Sequence, residues 1–436
     1  MILADVTPLR VSHHYRRLWA GLTVSQLGQQ MTVIAVAIQV YAMTESNFAV
    51  GLLGLVVLAP MMVGGLYGGA IADAVDRKLL AIAASSGWTT ASLVLVIQWY
   101  AGWRLLGLIY AMVGLQGLFY AVNNPSRNAM IPRLLPLELL TAANALAQLS
   151  FQLGLTVGPL LAGVLIGWLG LGAAYVVDVA TFLAALYALV RLPPMPPVRE
   201  PAPVGGSAST ADPGGPPGAG PAGGTAARWR QAGPRSVLEG LRFLRTRPNV
   251  LMTFLADMCA MIFAMPRALF PALAAKVYGG GARTVGILTA SIAIGAVVSA
   301  MFSGWTSRIR RQGLAVVLAV SVWGLAIAGF GISPWLWLAV TFLAIAGAAD
   351  LVSAIYRNTI LQIATPDELR GRLQGVFVVV VAGGPRLGDF TEGTVSSLST
   401  ETFAAVTGGL ACVTCVWLLA ARYRGFLEYD ARHPVP

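Results

Sequence analysis

Charged residues are scarce in this sequence. Asp, Glu, Lys and Arg together make up 11% of the 436 residues, whereas hydrophobic residues make up 57%. A soluble globular protein carries about 25% charged residues. The composition therefore excludes a soluble domain with a large core and indicates a polytopic membrane protein.

Cysteine and histidine are also rare, with three residues of each. The histidines lie near the two ends of the chain, and Cys259, Cys412 and Cys415 lie inside apolar runs. The spacing of Cys412 and Cys415 is that of redox or metal motifs, but two small apolar-compatible residues in a membrane helix are the simpler interpretation. The sequence thus predicts no metal site and no cofactor.

Lysine occurs only twice, at Lys78 and Lys276, and neither follows a glycine. A phosphate-binding P-loop needs a Gly-Lys pair, so an ATP-driven pump is excluded, and no enzyme motif replaces it. The formal net charge of +11 does not indicate a nucleic-acid partner, because basic residues are spread between apolar runs without interleaved aromatics.

Twelve apolar stretches are long enough to cross a bilayer, which takes about 20 residues. They cover residues 18–43, 48–70, 79–101, 104–122, 141–167, 172–190, 249–272, 284–305, 313–332, 335–356, 373–397 and 402–421. The first is too long for the apolar region of a signal peptide, which has roughly 7–15 residues. We therefore predict an all-α membrane protein with twelve transmembrane helices and a retained first helix.

Basic residues are divided unevenly between the two sides of this arrangement. Of 29 Lys and Arg residues, 24 fall in the termini or in loops after even-numbered spans. The opposite side receives Arg104, Arg267, Lys276 and Arg283, and Arg386 lies inside a span. Because Lys and Arg concentrate on the cytoplasmic side, we predict a multi-pass protein of the inner (cytoplasmic) membrane with both termini in the cytoplasm.

Residues 193–234 interrupt the apolar pattern. Close to half of this segment is Pro or Gly, a composition that predicts a disordered cytoplasmic linker. It would divide an N-terminal six-helix bundle, 1–192, from a C-terminal six-helix bundle, 235–436. The second bundle would begin with an amphipathic helix over 236–247, or with an extension of span 7. The linker could bind a partner's aromatic groove through its prolines, but a plain tether is the simpler interpretation.

The two halves of the chain match at one fixed offset in residue number. Arg127-Asn128 corresponds to Arg357-Asn358, and the glycines at 154, 158 and 163 recur at 384, 388 and 393. An offset shared by a loop and the following helix indicates duplicated halves. In transporters built this way the halves are related by an axis along the membrane normal, and the substrate site lies between them.

Spans 2 and 3 are joined by a short charged segment, Gly69-Ala-Ile-Ala-Asp73-Ala-Val-Asp76-Arg77-Lys78. It resembles the loop 2–3 signature of the major facilitator superfamily, although Ala74 and Asp76 depart from the usual residues. The resemblance implies a cytoplasmic gate formed by Gly69, Asp73, Asp76, Arg77 and Lys78 with Arg127, Asp350 and Arg357. We expect Asp73 to pair with Arg127, and Asp350 to support the gate beside Arg357. An ordinary charged loop is the alternative.

Span 5 contains Gly154 and the run Gly158-Pro159-Leu-Leu-Ala162-Gly163, which resembles a motif of antiporter-type exporters in the same superfamily. Small residues allow close helix packing, and a proline removes one backbone hydrogen bond and bends a helix. The motif therefore predicts a bent span 5 that seals one side of a central cavity. Generic small-residue packing is the alternative.

Residues 124–136, the following Thr141-Ala-Ala-Asn144 and the later segment 365–372 resemble one branch of the superfamily. That branch contains enterobactin-type siderophore exporters and macrolide efflux proteins. The resemblance extends over nearly the whole chain outside the linker. It implies the major facilitator fold, with two pseudo-twofold-related six-helix bundles, and transport of a small molecule, but it does not specify the substrate.

Six charged residues inside the predicted spans are functional candidates, because a charge at a helix centre costs about 2.5–3.5 kcal/mol on insertion scales. They are Asp178, Asp257, Asp350, Arg386, Asp389 and Glu392. The last three follow one another at spacings of three, which places them along one side of a helix. Arg386 and Asp389 can neutralise each other as an ion pair, which would leave Glu392 unbalanced.

Asp178, Asp257 and Glu392 are the best candidates for carrying a coupling proton, because a carboxyl group in an apolar cavity exchanges its proton nearer neutral pH. Alternatively, the two aspartates serve polar contacts between helices and Glu392 lies near the outer surface. Gln26, Gln30 and Asn123 are predicted to line the cavity as uncharged polar residues, and Trp88 could stack on a substrate or simply pack.

These features together predict a secondary transporter that exports an amphiphilic small molecule (a drug, macrolide or siderophore) in exchange for protons. It would act by alternating access, as a monomer in the lipid bilayer. One alternative is a facilitator or importer without proton coupling. A second is a non-transporting membrane receptor that uses the linker for docking.

Overall fold

The computed structural model describes residues 5–128, 130–193, 244, 247–303, 309–364 and 367–430, and it gives only the backbone of residues 66–74, 141, 362–364, 367–379 and 381–382. Residues 194–234 of the predicted linker and most of the predicted amphipathic helix 236–247 therefore lie outside the described residues. Leu244 of that segment is described, and it is buried against Val250 and Phe254.

Twelve long helical segments account for most of the described residues. They are α1 His13–Thr44, α2 Asn47–Ala74, α3 Arg77–Tyr100, α4 Leu106–Asn128, α5 Leu140–Leu169, α6 Leu171–Val190, α7 Pro248–Lys276, α8 Gly281–Met301, α9 Gln312–Gly331, α10 Leu336–Ala364, α11 Asp367–Leu398 and α12 Glu401–Arg422. Short helices also occur at Thr7–Val11, Ile131–Leu134, Leu137–Leu139 and Arg424–Leu427.

Ten of the twelve are long and apolar enough to cross a membrane by length and composition, among the residues described. The other two, α1 and α11, are also long enough but more polar. Helix α1 contains four glutamines, and α11 contains Arg386, Asp389 and Glu392. A membrane helix can hold such residues when they face other helices or an internal cavity. The two most polar long helices are therefore candidates for lining the transport path.

The helices form two bundles of six with the same internal packing. In the N-terminal bundle α1 packs on α5 and α6, α3 packs on α4 and α6, and α2 packs on α4. Each of these contacts recurs six helices later, between α7 and α11 or α12, between α9 and α10 or α12, and between α8 and α10. This confirms the predicted all-α fold of two pseudo-twofold-related six-helix bundles.

Two helix pairs join the halves: α2 packs on α11, and α5 packs on α8. The two pairs are equivalent, because α8 corresponds to α2 and α5 corresponds to α11 when helices are matched six apart. We call the side with the start of α1 and the end of α12 the termini face, and the opposite side the far face. The closest contacts between the halves lie near the far face, where a side chain at Gly51 would overlap the carbonyl of Asp389 and one at Gly286 would overlap that of Pro159.

Helix α7 is not continuous. Its first part, Pro248–Phe263, is followed by a 3₁₀ turn at Pro266–Leu269 and by a second helical part, Phe270–Lys276. Two prolines, Pro266 and Pro271, lie in this region and cannot donate backbone hydrogen bonds. The indole of Trp323 in α9 donates to the Ala264 carbonyl at 3.1 Å, which satisfies one acceptor left free by the break.

Candidate functional site: buried charges between the two halves

A cluster of charges surrounds the α7 break, and we call Arg267, Arg386, Asp389 and Glu392 the break cluster. The turn Pro266–Leu269 contacts α11 of its own half and α2 of the other half. Arg267 acts electrostatically on Arg386 and Asp389, and Arg386 also acts on Tyr120 in α4 of the other half. The cluster therefore lies at the interface between the halves.

Arg386 and Asp389 do not form the predicted self-neutralising ion pair within the described part of the chain. Their charges interact only at longer range, and Oδ1 of Asp389 is buried without a hydrogen-bond partner. Neither charge is thus fixed by direct contact with the other. The i, i+3 spacing places the two residues on one helix side, but it does not determine whether their side chains meet.

Glu392 is 3% exposed, and neither of its carboxyl oxygens has a hydrogen-bond partner. It lies against α12, because a side chain at Gly408 would overlap both Glu392 and the Phe263 carbonyl. Beside it, Thr391 donates a 2.6 Å hydrogen bond to the Ile262 carbonyl in α7. An unpartnered carboxyl group away from water is stable only in its neutral, protonated form. Glu392 is therefore a buried acid and not a residue of the outer surface.

A second set of charges lies nearer the termini face of the C-terminal half. Arg357 forms an ion pair with Asp257, and its other terminal nitrogen lies 3.5 Å from Asp350. Asp350 also acts electrostatically on Arg267. Asp257 is therefore not the free carboxylate that its position in a span suggested, because Arg357 neutralises it. Asp350 contacts Arg357 as the sequence predicts.

Asp178 lies in the core of the N-terminal half and is fully buried. One of its oxygens, Oδ2, accepts hydrogen bonds from Ser92 at 2.6 Å and from the Trp88 indole at 3.3 Å, whereas Oδ1 forms no hydrogen bond of standard geometry, although the Thr32 hydroxyl interacts with the carboxyl group. Trp88 also stacks on Phe182, with 4.9 Å between ring centroids. Trp88 is thus a packed core residue that orients Asp178, and not an open platform for a substrate ring.

Asn123 and Arg127 in α4 both contact Ser85 of α3. The Asn123 amide donates to the Ser85 hydroxyl at 3.3 Å, and the Arg127 guanidinium donates to it at 3.1 Å. Arg127 is buried. Gly69 and the predicted partner Asp73 lie in the segment 66–74, which is described by its backbone only, so the latch between Asp73 and Arg127 remains a prediction.

The described part of the loop after α2 holds helix ends in place. Asp76 caps α3 by accepting hydrogen bonds from the backbone amides of Lys78 and Leu79 at 2.8 and 3.4 Å. The Lys78 ammonium donates to the Leu192 carbonyl, just after α6, at 2.5 Å. Arg77, the first residue of α3, lies beside these contacts. The loop is thus tied to two helices of the N-terminal half.

The glycine motif of α5 contacts two different helices. Side chains at Gly154 and Gly158 would touch Gln26 and Gln30 of α1, and one at Gly163 would touch Ala282 and Arg283 at the start of α8. Pro159 lies within the helix, and its carbonyl contacts Gly286. The motif thus allows close packing both within the N-terminal half and between the halves, on the far face.

The sequence interpretation placed Arg267 on the outer side of the membrane, whereas the structure places it inside a candidate membrane span, Pro248–Lys276. Arg267 lies nine residues before the end of α7, roughly 14 Å along a helix axis, which is close to the middle of a bilayer about 30 Å thick. The sequence signal that could have located it is the run Gly279-Gly280-Gly281, where the chain turns and two of the three glycines have positive φ.

The fold and this site define a polytopic membrane transporter, with two similar bundles and ionisable residues buried between them. A family model for the Major Facilitator Superfamily matches residues 18–388. The chain belongs to the major facilitator superfamily and is a transporter rather than an enzyme.

Curated relatives cover almost the whole chain. A Citrobacter koseri protein named enterobactin exporter EntS is 27% identical over 435 residues, which is 100% of this chain and 97% of the relative. A Shigella boydii protein of the same name is 28% identical and covers 93% of this chain and 91% of the relative.

Among solved structures, a bacterial homologue of the human lysosomal transporter Spinster, in an inward-facing and unoccupied conformation, superposes with a TM-score of 0.65. It shares 16% identity, and the match covers 96% of each chain. At this identity the likeness establishes the fold only.

Proposed function

We propose that this protein exports an amphiphilic small molecule of the siderophore type by exchange with protons, and that Glu392 carries the proton. The observation that carries the proposal is the Glu392 carboxyl group, which is buried among α7, α11 and α12 without a described hydrogen-bond partner. The substrate class comes from the relatives named as enterobactin exporters.

Proton exchange at Glu392 changes the charge of the break cluster. When Glu392 is neutral it is stable in its closed environment, and when it loses its proton it adds a negative charge close to Asp389. A buried carboxylate beside a second one is unfavourable, so the deprotonated state favours an arrangement that admits water. Protonation of Glu392 thereby biases the equilibrium between the two orientations of the transporter, which is required for coupling proton movement to substrate transport.

Asp178 is the second candidate for a proton carrier and Asp257 the third. Asp178 retains hydrogen bonds from Ser92 and Trp88, which stabilise a carboxylate. Asp257 is paired with Arg357, so its charge is balanced by a direct cationic partner. Because Asp178 and Asp257 have different partners, we expect neutralising one or the other to affect transport to different extents.

The contacts between the halves support alternating access. They are tight on the far face, where Gly51 and Gly286 lie directly against the opposite half. With both termini in the cytoplasm, as the distribution of basic residues predicts, this arrangement is closed to the outside. Rocking of the two bundles about their interface would then open the far face and close the other. A single chain encloses the complete interface, so we propose a monomer.

The test uses purified full-length protein in proteoliposomes with an imposed pH gradient. Transport of enterobactin, a macrolide and a cationic dye is measured for the wild type and for Glu392→Gln, Asp178→Asn and Asp257→Asn. We expect a gradient to drive transport of one class in the wild type. Glu392→Gln should remove the response to the gradient, whereas Asp178→Asn should reduce the rate and keep the response.

Glu428→Gln is the matched control, because Glu428 is exposed beyond α12. It should behave as the wild type. Gradient-driven transport by Glu392→Gln at the wild-type rate would overturn the role of Glu392. If all three neutralised variants transport normally and the gradient has no effect, the protein is a facilitator or an importer without proton coupling.

A deletion of residues 195–233 separates transport from a receptor function. The deletion removes most of the predicted linker and no described helix. A transporter should retain its transport rate, since both bundles remain complete. A receptor that docks its partner through the proline runs should lose partner binding, and the full-length chain should show no transport.

A further inference from the structure

Arg267 is the one residue of its turn that faces open space. Pro266, Ala268 and Leu269 are all buried, whereas the Arg267 side chain is exposed. A guanidinium exposed to lipid at this depth would be strongly unfavourable. Because the turn contacts both α11 and α2, the exposed side of Arg267 faces the space between the two halves.

The charges that face Arg267 lie on two neighbouring helices. Asp350 is on α10, and Arg386 and Asp389 are on α11. Asp350 is also next to the ion pair that Asp257 forms with Arg357. These three arginines and three aspartates balance in formal charge, so the group can remain in the membrane without a ligand.

No described side chain forms an ion pair or a hydrogen bond with Arg267. Its five N–H donors, which contact no described side chain, form a planar fork whose geometry matches two oxygens of a carboxylate or adjacent oxygens of a deprotonated catechol. Lipid headgroups do not reach the middle of the bilayer. The partner that such a group can meet here is a molecule that enters the central space.

We infer that Arg267 binds an anionic oxygen of the transported molecule, so that this transporter prefers amphiphiles carrying a carboxylate or phenolate over their neutral analogues. The inference rests on the proposed transport function and names the substrate chemistry of the same site. Asp350 and Asp389, which face Arg267 without touching it, would then repel the bound anion when the site changes orientation and so promote its release.

Binding to the full-length protein in lipid nanodiscs tests this inference with two probes, dansylglycine and dansylglycinamide. They share one fluorescent apolar group and differ only in the carboxylate. We expect the wild type and Arg267→Lys to bind dansylglycine at least about tenfold more tightly, the difference that one charge-assisted hydrogen bond supplies. Arg267→Gln should bind both probes alike.

Arg104→Gln is the control, because Arg104 is an exposed arginine in the turn between α3 and α4. It should keep the wild-type preference. Equal binding of both probes by the wild type, or an unchanged preference in Arg267→Gln, would overturn the inference. Either result would leave the proposed function standing if a pH gradient still drives enterobactin transport by the wild type.

A measurement on the unaltered protein covers the case in which Arg267→Gln does not fold. Phenylglyoxal modifies accessible arginines, and mass spectrometry of peptides reports the modification of each one. Dansylglycine should protect Arg267 several-fold, and dansylglycinamide should not. Equal modification of Arg267 in the presence of either probe would overturn the inference.

Discussion

The two halves of this transporter pack alike but carry different chemistry. Gly158 of α5 lies against Gln30 of α1, and the corresponding Gly388 of α11 lies against Met265 of α7. The two glycines are related by the fixed offset of the sequence repeat, and their partners by nearly the same offset. The packing positions have thus kept their register, whereas the side chains that they contact differ in polarity.

The charged residues differ more strongly between the halves. Arg127 and Arg357 are equivalent, yet Arg357 is paired with Asp257 and Asp350, whereas Arg127 contacts the Ser85 hydroxyl. In the register that relates Arg127 to Arg357, the counterpart of Asp350 is Tyr120. The small residues that set helix spacing are therefore common to both halves, whereas most ionisable groups whose side chains the structure describes at the interface belong to the second half.

The largest loss of stability is expected when the two equivalent arginines, Arg357 and Arg127, are replaced. Arg357→Met would leave Asp257 and Asp350 without their cation, and removing one partner of a buried ion pair costs about 3–5 kcal/mol. Of the described contacts, Arg127→Met removes the hydrogen bond to the Ser85 hydroxyl, and it should cost less, about 1.5–3 kcal/mol. Denaturant unfolding of the purified protein in detergent measures both.

A double variant sharpens the comparison. Asp257→Asn combined with Arg357→Gln removes both charges of the ion pair and should be more stable than Arg357→Met alone. Equal losses for Arg127→Met and Arg357→Met would show that the ion pair does not distinguish the two halves energetically.

The second largest effect is expected at the glycines that allow the two halves to pack closely. Gly51 and Gly286 are equivalent in the register that relates Gln30 to Met265, and each lies against a backbone carbonyl of the opposite half. Leucine at either position must force the helices apart, at a cost of typically about 1–3 kcal/mol for overpacking. Gly51→Leu and Gly286→Leu should open the far face to similar extents, because the two contacts are related by symmetry.

Distances between spin labels across the far face report this opening. The labels are placed at Arg104→Cys and Trp335→Cys, in a chain whose three native cysteines are replaced by alanine. Gly107→Leu is the control, since a side chain there meets nothing within 4 Å. If only one of the two glycine variants lengthens the distance, the halves do not share the contact equally.

A smaller effect is expected from exchanging the polar partners in the packing positions. Gln30→Met gives α1 the residue that α7 has, and Met265→Gln makes the reverse change. The volumes are similar, so stability should change by less than about 1.5 kcal/mol. If Gln30 lines the substrate path, Gln30→Met should raise the KM for transport with little change in the folded fraction. An unchanged KM would show that Gln30 serves packing alone.

Much of the fold could be predicted from the sequence, because it depends on local patterns. Apolar stretches of about 20 residues locate the helices, and the repeated glycines identify the duplicated halves. The contact of Asp350 with Arg357 was also accessible, since residues seven apart lie on the same side of a helix.

The candidate site was less accessible to prediction because its contacts join distant parts of the chain. Asp257 and Arg357 lie three helices apart in the sequence, and nothing local indicates that they meet. The position of Arg267 depends on how far α7 continues past its break at Pro266, and apolar residues on both sides of the break conceal it. The lack of partners at Glu392 depends on packing against α12 and the end of the first part of α7.

The smallest effect should come from a polar contact that only one of the two symmetric interfaces has. On the far face, the Asn47 amide at the start of α2 donates to Glu401 at the start of α12 at 3.0 Å, and Lys276 at the end of α7 donates to the same oxygen at 2.5 Å. The equivalent positions in the other interface, Ala282 and Leu171, cannot form such contacts.

Glu401→Gln should therefore weaken closure of the far face slightly, by about 0.2–1 kcal/mol, because the Lys276 side chain is largely exposed and exposed ion pairs contribute little. This corresponds to at most about a fivefold change in the open population, which the same spin labels would detect as a longer-distance fraction. High salt should produce a similar shift in the wild type and almost none in Glu401→Gln, since salt screens the ion pair that the variant lacks. A salt effect of equal size in both proteins would assign closure to the packing of the glycines and not to this contact.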